Sequence, residues 1–319
     1  MKKILCLLMS CLLFVMAGCS GHSKNLKFGA ADIGGVYYSF ASTFTQLADK
    51  EIDGYTFETK TTAGSVANLR LISDGYIDLA IAQADLLSDA YNATGTFADK
   101  KYQKGYKAVA SLYTECCQIV VRKDSGITGI DDLINKTVSV GASESGSEKN
   151  AEQILKMSGI TDELINKVNM DYTEAAEKLK AGEIDAFFCT AGTRTEVIGQ
   201  LSKECDICLI SLDDKCIDKM LSAYSLCEKY TIPAGTYNGQ DSDVTTIGVK
   251  AVLIAKQSLS DDVIKNVTKT IYEHADDFKY ATSLDISFDI NTAADGVDIP
   301  FHSGAAAYYT ERGINVLTE

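Results

Sequence analysis

The feature that most limits how this chain can fold is a repetition. "LRLISDGYIDLAIAQAD" at residues 69–85 and "EKLKAGEIDAFFCTAG" at residues 177–192 follow one order of events. Each runs as a helix, then a glycine (Gly75, Gly182), then Ile-Asp (Ile77-Asp78, Ile184-Asp185), then an apolar strand. Each glycine falls where a helix would end, a place where positive φ costs glycine little. "FGAADIGGVYYSF" at 28–40 and "VGASESGSEKNAE" at 140–152 match in the same way: strand, glycine, small-residue loop, helix start. The copies lie ~110 residues apart, and a repeat made of whole strand–helix units implies two similar lobes.

Strand-like runs at 26–30, 55–61 and 77–83 alternate with helical stretches at 37–50 and 65–73. The second half starts again with strands at 137–141, 168–172 and 184–190 around helices at 147–157 and 173–180. This alternation predicts an α/β fold with parallel sheets covered by helices. Two β-rich runs, 108–123 and 243–256, are long enough to carry the chain across and back, and would form a two-strand hinge. An amphipathic stretch at 259–278 and a shorter one at 304–312 are expected to pack on the first lobe. The boundaries that follow are 28–115 with 246–319 for lobe one and 116–245 for lobe two.

The first residues belong to neither lobe. Lys2 and Lys3 precede an apolar run from Ile4 to Met16, followed by Ala17-Gly18, the pattern of an export leader too short to span a membrane. Met16-Ala17-Gly18-Cys19 resembles a bacterial lipobox, although Met16 is an unusual residue three before the cysteine. Residues 1–19 are then a lipoprotein signal ending in a lipidated Cys19, and residues 20–27 a tether. Plain secretion, with Cys19 an ordinary thiol, is the alternative. The expected location is extracytoplasmic, with lipid alone holding the chain to the bacterial cell membrane, since no later run is apolar enough to cross it.

Formal net charge is −14, and the leader contains lysines but no acid, so the mature part is more negative still. That charge excludes nucleic acid and anionic headgroups as partners. Beyond the leader stand Cys116, Cys117, Cys189, Cys205, Cys208, Cys216 and Cys227, an odd number that leaves at least one thiol free. Cys205 and Cys208 form a lone CxxC, and with three histidines in the whole chain no metal site is expected.

In open α/β sheets ligands collect where strands end and helices begin, because unpaired N–H groups and the helix dipole attract anions there. Such ends occur at Gly34-Gly35 and Thr62-Ala63-Gly64-Ser65 in one half. The other half has them at Ser143-Glu144-Ser145-Gly146-Ser147 and Thr190-Ala191-Gly192-Thr193. Gly29-Ala30-Ala31-Asp32-Ile33-Gly34 is not a dinucleotide loop, and no phosphate-binding G-x-x-x-x-G-K-[ST] exists. Gly141-Ala142-Ser143-Glu144-Ser145 lacks the last glycine of a nucleophile elbow, and neither His274 nor His302 falls near these loops. The expectation is a binding protein with no cofactor and no catalytic activity.

Several of these pieces, taken in order, resemble the TAXI family of solute receptors that serve TRAP-type transporters. They are Gly34-Gly35 followed by Tyr37-Tyr38, Thr62-x-Gly64-Ser65-x-x-Asn68, "DLAIAQ" at 78–83, and Gly141 with Ser145-Gly146-Ser147-Glu148. "IPAGTYNGQ" at 232–240 before "VTTIGVKAVLIA", and "FHSGAAAYYTERG" at 301–313, complete the set. The resemblance implies a two-lobe, periplasmic-binding-protein-like type II fold with two crossover strands as hinge. It also implies a monomer that closes on a small organic acid or amino acid, glutamate-like, glutamine-like or a dicarboxylate, and delivers it to a membrane permease.

On that resemblance Gly34 and Gly35 admit a ligand carboxylate, with Tyr37 or Tyr38 as a wall, the other packing under the helix, and Thr62, Ser65 and Asn68 beside it. Gln83 reads an amino or amide group, and Ser143, Ser145, Gly146, Ser147, Thr190 and Thr193 complete the second wall. Arg194, Asn238 and Ser303 stand where the family commonly has proline. Of these Arg194 is the one able to reach the cleft; its alternative is a solvated arginine at a helix start. A receptor for an ABC importer and a tethered sensor or adhesin are the rival functions.

Overall fold

The computed structural model describes residues 23–99, 102, 105–283 and 288–319. The leader, Cys19 and residues 20–22 of the expected tether lie outside them. Ten strands are present among the described residues: β1 (Lys24–Gly29), β2 (Tyr55–Lys60), β3 (Leu79–Gln83), β4 (Tyr106–Arg122), β5 (Thr137–Ser139), β6 (Asn166–Val168), β7 (Ala186–Ala191), β8 (Ile207–Leu209), β9 (Cys227–Ile232) and β10 (Val244–Lys256). The helices are α1 (Val36–Glu51), α2 (Ser65–Ser73), α3 (Ala84–Asn92), α4 (Gly146–Met157), α5 (Tyr172–Ala181), α6 (Glu196–Glu204), α7 (Asp214–Ala223), α8 (Asp261–Glu273), α9 (Ala275–Thr282) and α10 (Ser303–Thr310). β1 begins earlier than the sequence suggests: Lys24–Lys27, read above as tether, pair with Tyr55–Glu58.

The strands run in the order β2-β1-β3-β10-β4-β7-β5-β6, with β8 on β4 and β9 on β10. β4 and β10 are the long elements, and they lie antiparallel from Cys116↔Gly248 to Tyr106↔Lys256. The first-lobe end of β10 joins β3 and its other end joins β9, while the second-lobe end of β4 joins β7 and β8. The register shifts at Ala251/Val252 and Leu253/Ile254 are irregularities that bend and twist a strand pair. Outside this pair, β1, β2 and β3 are parallel, as are β5, β6 and β7, so each lobe repeats the strand–helix alternation. Two crossover strands joining two α/β lobes is the architecture the repetition predicts.

Packing follows from the spacing of apolar residues. On α1 the buried set is Val36, Tyr37, Phe40, Ala41, Phe44, Thr45 and Ala48, one stripe of a helix of period 3.6. Phe40 and Phe44 meet Phe28 of β1 edge-on, with centroids 6.4 and 5.5 Å away, and Phe278 of α9 stacks on Phe40 at 4.5 Å. Burying one such ring stabilises by about 1.5–3 kcal/mol, and this stack fixes the C-terminal helices to the first lobe. The tail is two helices where one was expected. His274 leaves the helical region (φ −114°, ψ 28°), and its ring is held by Asp277 at 2.8 Å and by Glu51 of α1 at 2.6 Å. The second lobe has its own core around Ile119, Val138, Ile154, Phe188 and Met220. All seven described cysteines are free thiols, five of them buried.

Candidate functional site

The segments that follow β1 and β2 and the end of β3 meet those that follow β5 and β6 and the end of β7 around one cavity of ≈ 30 Å³. A single water needs roughly 10–15 Å³, so the space holds about two waters: the lobes are shut on each other, and a solute of several heavy atoms fits only when they stand further apart. From the first lobe it is lined by Asp32, Gly35, Tyr37, Gly64, Ser65, Gln83 and, on the crossover strand β4, Glu115. From the second lobe come Ser145, Gly146, Ser147, Tyr172 and Thr190. No lysine, arginine or histidine stands among these lining residues.

On the first-lobe side, α1 and α2 both start at glycine, Gly35 and Gly64, and neither has a side-chain cap. Gly64 holds φ +115°, a conformation strained for any other residue, and its Cα lies against the second lobe at Ser145. Without caps, the first-turn N–H groups of these helices, apart from that of Ala67, which the Glu144 carbonyl accepts, are left to whatever enters the cleft. Tyr37, on the first turn of α1, donates its hydroxyl to Glu115 Oε2 at 2.8 Å. Ser65 accepts the Gln83 N–H at 3.1 Å. The Gln83 side chain donates across the cleft to Asn150 Oδ1 at 3.0 Å, and its Oε1 is buried with no partner among the described residues. Burial pushes the Glu115 carboxyl up to about 8, Tyr37 and Gln83 opposing and Asp85 adding to the rise. Asp32 is pushed up to about 6, chiefly by burial and then by the charge of Asp171, against a bond from the Tyr172 N–H.

The second-lobe side is largely closed on itself, with the Thr190 hydroxyl buried and without a partner among the described residues. Ser145 is the N-cap of α4 and accepts the Glu148 N–H at 3.0 Å. Ser147 Oγ accepts the Thr190 N–H at 2.8 Å and lies 2.5 Å from the Tyr172 hydroxyl. Tyr172 bonds in turn to the Thr190 carbonyl at 3.0 Å. Gly146 is required by close approach, since a side chain there would collide with the Gln83 amide. Two further contacts cross between the lobes: Ala67 N–H to the Glu144 carbonyl at 3.0 Å, and Arg70 to both Glu144 carboxylate oxygens at 3.1 and 2.7 Å.

Of the residues expected from sequence, the structure brings Gly35, Tyr37, Ser65, Gln83, Ser145, Gly146, Ser147 and Thr190 to the cavity. Thr62 and Asn68 stand behind it as a strut. Thr62 Oγ1 is 2.7 Å from Asn68 Oδ1, and Asn68 Nδ2 donates to the carbonyls of Ala30 and Ile81 at 2.7 and 2.8 Å. Ser143 is exposed, and Thr193 faces Tyr230. Arg194 is exposed in the left-handed region (φ 66°) and lines, with Gly34, Glu196 and Lys203, a separate open groove of ≈ 370 Å³.

Asp32, Glu115 and Tyr172 were not among the expected residues. Glu115 leaves one trace in the sequence: it is the lone acid in the apolar run "AVASLYTECCQIVV". A charge in the middle of a strand buried on both faces needs a partner or a purpose.

Solved structures of the same architecture include PhnD1 from Prochlorococcus marinus (MIT 9301) in complex with methylphosphonate. It has TM-score 0.58 and 12% identity, covering 83% of this chain and 93% of that one. The periplasmic binding protein BugD matches at TM-score 0.55 and 10% identity over 81% of this chain and 85% of its own. A putative L-cystine ABC transporter from Listeria monocytogenes matches at TM-score 0.52 and 14% identity, over 82% and 94%. At these identities the likeness establishes the two-lobe binding-protein fold. A family model, by contrast, matches residues 28–313, nearly the whole described chain. The chain belongs to the NMT1-like family.

Proposed function

We propose that this protein is an extracytoplasmic solute receptor that closes on a small polar molecule, an amino acid or small carboxylate, and presents it to a membrane importer. The observation that carries the reading is the single cavity walled by strand-end loops of both lobes. Contacts such as Gln83–Asn150 and Arg70–Glu144 join the lobes beside it. Those contacts form only when the lobes meet, so a ligand that adds to them shifts the molecule toward closure. A ligand carboxylate finds donors in the first turns of α1 and α2. The ligand is expected to leave unchanged. Solution scattering with and without ligand tests the reading: the radius should fall on binding, and the recovered ligand should be intact. Turnover of the bound molecule would sink it.

The fold shared with the putative L-cystine ABC transporter supports an ABC importer as partner. The ordered motifs from Gly34-Gly35 to residues 301–313 resemble a TAXI receptor feeding a TRAP permease, but the family match and the shared fold support the ABC importer better. Vesicle uptake separates them, since the first stops when ATP is depleted and the second when the ion gradient is dissipated. Lipidation of Cys19 would hold the receptor at the membrane, and Cys19→Ala should then release it and abolish fatty-acid labelling.

A further inference from the structure

We infer that Glu115 is the counter-ion of a ligand ammonium group, so that the cleft selects small zwitterions or cations over acids carrying no positive charge. This assignment rests on the receptor function proposed above and names the ligand class of the same site.

The geometry supplies acceptors and negative charge where the ligand must lie. Glu115 is 2% exposed and sits on β4 where that strand passes the cavity. One of its oxygens is engaged by the Tyr37 hydroxyl at 2.8 Å. Beside it Gln83, 1% exposed, turns an acceptor without a partner toward Gly146, and Asp32 adds a second carboxyl to the same lining. An ammonium brings three N–H donors and one positive charge, and so answers buried acceptors and a buried carboxylate together. A plain dicarboxylate would bring further negative charge into a dry site that already holds two carboxyls and no cation. For a zwitterion, the acid end has the uncapped helix starts at Gly35 and Gly64.

The groups facing Glu115 are Tyr37 from α1, Gln83 from β3, Asp85 from α3, Tyr113 and Cys116 on its own strand, Tyr172 from α5 and Cys189 from β7. None is a cation. While the lobes are shut, burial keeps the empty site's carboxyl protonated up to about pH 8, and an arriving ammonium displaces that proton. Below that pH each bound ligand releases one proton, so affinity should rise about tenfold per pH unit between roughly pH 6.5 and 7.5. Above about pH 8 it should be flat until the ligand's own ammonium titrates.

The test compares glycine, L-alanine, L-glutamine, L-glutamate and putrescine with propionate and glutarate, by thermal shift and calorimetry. At least one ammonium-bearing probe should bind wild type with the stated pH slope, while the deaminated acids do not. Glu115→Gln keeps the volume and an acceptor for Tyr37, and should weaken that probe ~100-fold and flatten its pH profile. If Glu115→Gln does not fold, the wild-type pH slope alone decides. Binding of propionate or glutarate as tight as that of the amino acids, or a flat wild-type profile, overturns this assignment and leaves the receptor function standing. No binding of any probe at any pH overturns both.

Discussion

The two walls of the cleft come from equivalent places in the internal repeat, yet they use their polar atoms differently. α1 and α4 are counterparts, as are α2 and α5. In the first lobe both helices begin at an uncapped glycine; in the second, Ser145 and Asp171 cap theirs through the N–H groups of Glu148 and Glu174, at 3.0 and 2.8 Å. The first wall also carries Asp32, and Gln83 with a free acceptor. The second has already satisfied Ser147 with Thr190 and Tyr172. A duplicated unit therefore need not divide the work equally. The first lobe is built to grip, and the second to cover.

The comparison can be broken most forcefully at the struts behind each wall. Asn68 is fully buried and holds the loops after β1 and β2 to β3. Asn68→Ala would leave several buried groups unpaired and should cost about 2–4 kcal/mol in urea unfolding. In the second lobe Asn169 ties Gly141 and Glu148 from a half-exposed position, at 2.9 Å each. Asn169→Ala should cost about 1 kcal/mol or less. Equal losses would remove the asymmetry.

Acid should show the next largest effect. Asp32 and Asp85 both lie where the lobes meet, and burial raises each to about 6; Asp85 also faces Gln153 of α4. A carboxyl whose pKa is higher in the closed form binds its proton more tightly there. Closure is therefore penalised above about pH 6, and the penalty fades as pH falls toward the ordinary value of 3.8. Discounting Asp32 for its partial exposure, about 1–2 kcal/mol is at stake. The unliganded protein should become more compact as pH falls from about 6 to about 4, and Asp85→Asn should already be more compact at neutral pH. A radius independent of pH would mean that the lobes do not bury these groups on closing.

Serines on the two opposing walls sharpen the contrast further. Ser145→Ala removes a helix cap and should cost about 1 kcal/mol of stability while changing ligand affinity less than about twofold. Ser65 supports Gln83 through its backbone N–H and lies 3.5 Å from the Tyr37 hydroxyl. Ser65→Ala should therefore lower affinity and stability together. Calorimetry that finds the larger affinity loss in Ser145→Ala would reverse the roles assigned to the walls.

How much of this was legible in the sequence follows from what kind of signal each feature leaves. Periodicity gave the repeat, the crossover strands and the loops that meet at the cavity, since burial of a stripe or a strand is written locally. The employment of a polar side chain is not local. Ser147 and Ser65 look alike in sequence, and only the fold commits one to Thr190 and the other to Gln83. Thr62 and Asn68 sit beside a binding loop for structural reasons, as a motif cannot separate a strut from a ligand. Glu115 was hidden because a crossover strand reads as scaffold until it is seen passing through the site. The break at His274 depends on Glu51 from the far end of the chain, which no window of sequence contains.

The smallest effect tests how the cover is held. Glu144 adopts a left-handed conformation (φ 66°), and from it offers its carbonyl to the Ala67 N–H and its carboxylate to Arg70. Ala67 is the third residue of α2, so its N–H has no partner within the helix. Here again the first lobe has the open donors, and the second lobe brings what satisfies them. The ion pair is partly exposed, with side-chain exposures of 32% and 43%, so about 0.3–1 kcal/mol is all it can add. Arg70→Ala should therefore weaken ligand binding about twofold to fivefold at low salt, because closure is part of binding. At roughly 1 M salt the Debye length is near 3 Å, and wild type and Arg70→Ala should converge. The backbone bond from Ala67 survives both treatments, so neither should abolish closure. A loss that persists undiminished at high salt would show that Arg70 acts through packing of its stem, and the charged latch would then be no part of the closing mechanism.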